Sequence, residues 1–181
     1  MNTPLCDFCL KSGILCPKCQ EKISSKKISK LDISVAKLLL QLEKNYPSLQ
    51  KISFYKAYEA DDILAIVVKS GDLPYITGYG RRILKDFQKM TRKKVKVLEK
   101  DGDIRRFLED LFMPATIITI NKIWLPDGST EMRVILPRTS RRLVVDSEVL
   151  KWLAKSIRGI TLRVEFQESS YIPLKMSMRK R

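Results

Sequence analysis

The stretch Ile76-Thr77-Gly78-Tyr79-Gly80-Arg81-Arg82-Ile83-Leu84 brings two glycines, an aromatic and two arginines together at the start of a predicted helix. Closely spaced glycines let the chain turn tightly and approach a ligand with no Cβ in the way. The first turn of the following helix has amide donors free for phosphate oxygens. In outline this is an anion site. A glycine pair ahead of a helix is also a common connection, so the reading turns on what surrounds it.

Working outward, Lys51 to Tyr58 and Ile63 to Lys69 read as strands, with Glu59-Ala60-Asp61-Asp62 as the hairpin loop between them. The unbroken apolar run Ile63-Leu64-Ala65-Ile66-Val67-Val68 predicts a central strand. Gly71 to Tyr75 is a short helix or turn leading into the glycine stretch. A helix follows from about Arg81 to Met90, with Ile83, Leu84 and Phe87 inward and Arg82, Lys85 and Lys89 outward. The next strand, Lys94-Val95-Lys96-Val97-Leu98, alternates lysine with valine. Between Arg81 and Lys100 nine Lys and Arg face only Asp86 and Glu99, a balance of +7, close to half the excess charge of the whole chain. Upstream, Leu31, Val35, Leu38, Leu39 and Leu42 recur at helical spacing, with Ser29 or Asp32 as the cap and Pro47 marking the exit.

The second half repeats this plan. A helix over 104–111, a strand over 115–124, a turn at Pro126-Asp127-Gly128-Ser129, a strand over 131–136, a helix over 147–157 and a strand over 161–166 follow in the same order. The expected architecture is an internal duplication in an α+β protein, with two units of about 70 residues packed together. Where a second glycine loop would lie stands Pro137-Arg138-Thr139-Ser140-Arg141-Arg142, which binds phosphate through side chains or serves as a solvated linker. The tail from Tyr171 to Arg181 ends in a basic cluster without periodicity.

All four cysteines lie in the first 19 residues, as Cys6-Asp7-Phe8-Cys9 and Cys16-Pro17-Lys18-Cys19, separated by six residues. Two such knuckles converge on one ion and complete a tetrahedral sulfur site suited to zinc. Four thiolates close the coordination sphere, so the ion is expected to be structural. The competing readings are disulfides and a redox pair; the doubled motif without a βαβ setting disfavours the second.

The chain carries 35 Lys and Arg against 20 Asp and Glu, a formal +15. A field of that size points to nucleic acid ahead of an acidic protein or an anionic membrane. There is no histidine, which removes the usual general base at neutral pH and the usual nitrogen metal ligand, and no enzyme activity is expected. No apolar run reaches the roughly 18 residues that span a bilayer, and the N-terminus has no charged-then-apolar signal layout, so a cytoplasmic protein is expected.

These residues together resemble the archaeal NusA-like transcription factors, in which a zinc ribbon precedes two type II K homology (KH) domains. The resemblance rests on the two Cys-x-x-Cys knuckles and on three further stretches. These are Asp32-Ile33-Ser34-Val35-Ala36-Lys37-Leu38-Leu39, Ile104-Arg105-Arg106-Phe107-Leu108-Glu109-Asp110-Leu111 and Trp124-Leu125-Pro126-Asp127-Gly128. It implies a zinc finger over 1–24, a linker over 25–30, KH-like αββααβ units over 31–100 and 101–168, and a basic tail over 169–181. It also implies that single-stranded RNA is clamped by its backbone at the glycine loop. In the family motif Gly78 takes the first glycine and Arg81 stands where the last is expected. The RNA contacts implied are Gly78, Tyr79, Gly80, Arg81, Arg82, Lys85 and Lys89, with Arg138, Arg141 and Arg142 secondary. The RNA is a nascent transcript or rRNA, and RNA polymerase or the ribosome is the larger partner. A protein-interaction or dimerisation module whose KH units have lost RNA binding is the alternative from another class, and a homodimer is compatible with either.

Overall fold

The computed structural model describes residues 1–78, 81–142 and 146–167. Helix α3 (Lys30–Glu43) shows how local sequence sets the first unit. Ser29 caps it by accepting from the Asp32 amide while the Asp32 carboxylate accepts from the Ser29 amide, so both expected caps act in one box. The other Asp32 oxygen accepts from the Ala57 amide at 2.6 Å. A buried carboxylate therefore ties the helix start to strand β1 (Phe54–Ala60) with its acceptors satisfied.

Strand β1 pairs antiparallel with β2 (Ile63–Val68), and β2 pairs parallel with β3 (Lys94–Glu99). A parallel neighbour requires a crossover, supplied by α4 (Leu73–Thr77) and α5 (Arg82–Thr91). All six residues of β2 are buried, as expected of a central strand. Two boundaries shift from the expected ones. Lys51 belongs to a 3-10 turn over Pro47–Lys51, because Pro47 starts a tight turn closed by Tyr46 and Leu49. The hairpin loop shrinks to Asp61 and Asp62, with Asp61 left-handed at φ 51°, so Glu59 and Ala60 extend the strand.

The second unit uses α6 (Ile104–Phe112), β4 (Thr119–Trp124), β5 (Thr130–Leu136), a 3-10 turn over Arg138–Arg142, α7 (Ser147–Arg158) and β6 (Leu162–Phe166). Its sheet repeats the first, antiparallel β4–β5 and parallel β5–β6. Residues 115–118, expected in β4, precede the ladder. The fold is thus mixed α+β with two three-stranded sheets of like topology.

The units share packed surface. Leu64, Ile66, Val68, Val95 and Val97 face α3 and α5 in one apolar cluster that also takes in Leu5, Cys9, Leu10 and Cys19 from the N-terminal region. The back of the same sheet, with Ile63, Ala65 and Leu98, lies in a second cluster with Phe107, Leu111, Leu150 and Leu153 from α6 and α7. Arg158 latches this joint. Its guanidinium donates to the carbonyls of Glu99 (2.9 Å), Asp101 (2.7 Å) and Gly102 (3.0 Å) and lies 4.5 Å from the Phe107 ring centre. Tyr58 meets Trp152 edge to face and donates to the Ser156 carbonyl. Among the described residues no helix is long and apolar enough to cross a membrane.

Replacing Arg158 with alanine strands several of these carbonyls and is expected to lower unfolding free energy by about 2 kcal/mol. Lysine, which lacks the planar fork, is expected to restore only part of it. Chemical denaturation monitored by circular dichroism reads both; a change within about 0.5 kcal/mol would show that the latch bears no stability.

Candidate metal cluster and nucleic-acid groove

The knuckles fold as two short helices, α1 (Asp7–Ser12) and α2 (Pro17–Ser24), with Cys6 and Cys16 at the respective N-caps. A helix start favours a thiolate, because the peptide dipoles and free amides present positive charge to it. The Cys9 amide pulls the Cys6 thiol down, and the Cys19 amide pulls Cys16 down to about 7. The Cys16 amide donates to Cys9 Sγ at 3.1 Å. Gly13, left-handed at φ 75°, closes α1 and makes the short linker possible. One ligand atom from each of the four cysteines comes within 4.8 Å of the others. Cys6 Sγ lies 3.2, 4.0 and 3.7 Å from the sulfurs of Cys9, Cys16 and Cys19. A sulfur tetrahedron with metal bonds of about 2.3 Å has edges of about 3.8 Å, so the donor set and its size suit a metal ion such as zinc.

Gly78 caps α4, and a Cβ there would meet the Pro74 carbonyl oxygen at 2.7 Å. The first glycine is thus required for close packing of its own helix turn. Tyr79 and Gly80 lie outside the described residues. Arg81 is left-handed, φ 61° and ψ 16°, at the N-cap of α5. That conformation suits glycine and strains an L-residue, so the backbone keeps the geometry of a glycine position while the side chain is cationic.

Arg81 opens onto a groove of about 490 Å³. One wall is Leu73 and Thr77 of α4 with Leu84, Lys85 and Gln88 of α5. The floor is the outer edge of β3 at Val95, Lys96 and Val97, a strand at the end of its sheet. The far wall is Asp110 of α6 with Met113 and Pro114 beyond it. Arg81 Nη2 reaches Met113 Sδ across the mouth at 3.0 Å. Lys96 Nζ donates to the Met113 carbonyl at 2.7 Å. Burial pushes the Lys96 ammonium down to about 8 against the opposing pull of Asp110, and burial with the charges of Glu99 and Glu109 pushes the Asp110 carboxyl up.

Of the residues expected to touch RNA, the structure brings Arg81 and Lys85 into this groove. Arg82 and Lys89 are exposed and share one stripe of α5 with Lys85, outside the groove lining. Lys89 pairs with Asp86 at 3.5 Å. Arg138 is exposed on the 3-10 turn of the second unit; the side chains of Arg141 and Arg142, and the tail from residue 168, lie outside the described ones. Sequence reasoning missed Lys96, Gln88, Asp110 and Met113. Lys96 was legible only as an outward residue of an isolated strand, because the wall that buries it comes from the other unit.

Neither the family models nor the curated proteins contain a match to this chain. Among solved structures, the crystal structure of the archaeal protein APE1850 aligns at 18% identity and a TM-score of 0.48, over 71% of this chain and 96% of that one. A likeness at that level carries no argument about function.

The cysteine cluster is expected to bring one metal ion per chain through purification, read by elemental analysis. Cys19→Ser removes a buried ligand and should abolish the stoichiometric metal. Metal-free protein with a full complement of native structure would contradict the assignment.

Proposed function

We propose that this chain is a single-stranded RNA-binding factor built on two KH-like units and steadied by a structural four-cysteine zinc site. The observation that carries the reading is the groove where the glycine-geometry turn at Arg81, the basic helix α5 and the open edge of β3 converge. Several features support it. The groove, of about 490 Å³, is walled by helices on one side and by the segment after α6 on the other, a setting that suits an extended single strand. Arg81 and Lys85 offer charge for phosphates on one wall. The strand-edge amides and carbonyls of β3, which has no further strand beyond it among the described residues, offer hydrogen bonds for base edges on the other side, together with the Lys96 donor and Asp110 acceptor. The order αββααβ of the first unit is the order that the NusA-like resemblance implies. On that resemblance the RNA is a nascent transcript or rRNA, held in a cytoplasmic assembly with RNA polymerase or the ribosome.

The zinc ion, held by Cys6, Cys9, Cys16 and Cys19, would supply structural cross-linking alone. Its finger shares the first apolar cluster through Leu5, Cys9, Leu10 and Cys19, so it acts as part of the platform rather than as a free module. Phe8 and Ile14 stay exposed on its far side.

Fluorescence anisotropy with a labelled oligoadenylate over a salt series tests the reading. Affinity should fall with log salt, and Arg81→Glu with Lys85→Glu should weaken binding by at least about tenfold and flatten the slope. Lys96 is cationic below its depressed pKa and neutral above it, so binding should weaken as pH rises through about 8. Lys96→Gln should remove that dependence. Absence of binding at low salt, or binding indifferent to the charge reversals, would remove the proposal.

A further inference from the structure

The β4–β5 hairpin carries an aromatic side chain that the fold does not use. Trp124 ends β4 with 70% of its surface exposed. Tryptophan is on average among the most buried residue types, and the chain's other one, Trp152, packs on Tyr58. Strand alternation puts Ile120, Lys122 and Trp124 on one face. Ile120 packs against the second apolar cluster, whereas Lys122 and Trp124 are open to solvent.

The ring is held in a defined place. Lys122 Nζ lies over the ring, 4.4 Å from its centre, a cation–π contact that orients the indole and sets a positive charge on one of its faces. The turn beyond is closed by Leu125 N donating to the Ser129 carbonyl at 2.9 Å. The Asp127 carboxylate accepts from the Ser129 amide and hydroxyl at 2.9 and 2.7 Å, so it serves its own turn. Lys122 on the same face, and Asp127 and Ser129 in the turn beyond, are exposed and polar. A protein-docking core needs contiguous apolar surface, which these neighbours do not provide. A single flat ring, a flanking cation and a chain of net charge +15 suit a nucleobase and its phosphate.

We propose that Trp124 and Lys122 form a base-stacking platform for single-stranded RNA, with a nucleobase on the indole face opposite Lys122 and Lys122 attracting the adjacent phosphate. The platform gives the second unit a contact of its own. Trp124 pairs with Thr130 at the start of β5, whereas Arg138 follows the far end of that strand. The inference rests on the RNA-binding reading above.

The test uses the full chain and the labelled oligoadenylate. Trp124→Ala is expected to weaken binding roughly tenfold with the salt slope unchanged, and Trp124→Phe to keep most of the affinity. Lys122→Ala should lower the slope by about one. In a Trp152→Phe background, the emission of Trp124 should be quenched on adding RNA; if that variant does not fold, the Trp124→Ala affinity decides alone. Wild-type binding with Trp124→Ala unaffected would overturn the platform and leave the groove reading intact. Failure of the wild-type chain to bind at low salt would remove both.

Discussion

The back of the first sheet presents Ile63, Ala65 and Leu98, which in an isolated unit would face water. Covering them with α6 and α7 is the interaction on which the rest of the structure depends. Burying side chains the size of Ile63 and Leu98 contributes about 1.5–3 kcal/mol each. Arg158 adds a latch whose acceptors are the backbone carbonyls of the segment joining the units. The two units therefore form one packed body, and the segment after α6 is held against the edge of β3. That placement makes the third wall of the groove. A single unit would have a basic helix and a strand edge with nothing opposite them.

The electrostatics follow from the same packing. Lys96 lies opposite Ala65 in the parallel ladder, on the face that the second unit covers. Burial withdraws its charge from water and weakens its hold on its proton, while the Met113 carbonyl and the nearby Asp110 act in the opposite direction and keep the shift partial. Arg82 and Lys89 remain in water, where they steer a polyanion at long range and are screened by salt. The proposed RNA site thus divides its cations into two kinds. Arg82 and Lys89 would attract phosphate from a distance, whereas Arg81, Lys85 and Lys96 would act at contact, Lys96 as a fixed donor in a partly dry groove that discriminates between hydrogen-bonding edges.

Much of the fold was legible because it is written in local pattern. The spacing of Val35, Leu39 and Leu42, the Ser29–Asp32 box and the apolar run of β2 each mark an element with a physical cause confined to a few residues. The cysteine cluster was legible for the same reason, since two knuckles of fixed spacing leave little choice of partner. Its embedding was not, because Leu5 and Leu10 read as ordinary apolar residues until α3 is placed against them. The groove was half legible. Gly78 and Arg81 mark the turn, but whether Lys96 meets water or a carbonyl depends on how the units dock, and no pattern within β3 encodes that. The left-handed backbone at Arg81 was equally hidden, since arginine gives no sign of the conformation that glycine advertises.

The proposed path of the RNA runs along the β3 edge between α5 and the segment after α6. Photocrosslinking the intact protein to a single-stranded RNA bearing 4-thiouridine, with adducts mapped by mass spectrometry, addresses it most directly. Adducts are expected on the groove walls, at residues 81–88, 95–97 and 110–114. Adducts confined to the zinc finger, or spread evenly over the basic surface with the groove spared, would contradict it.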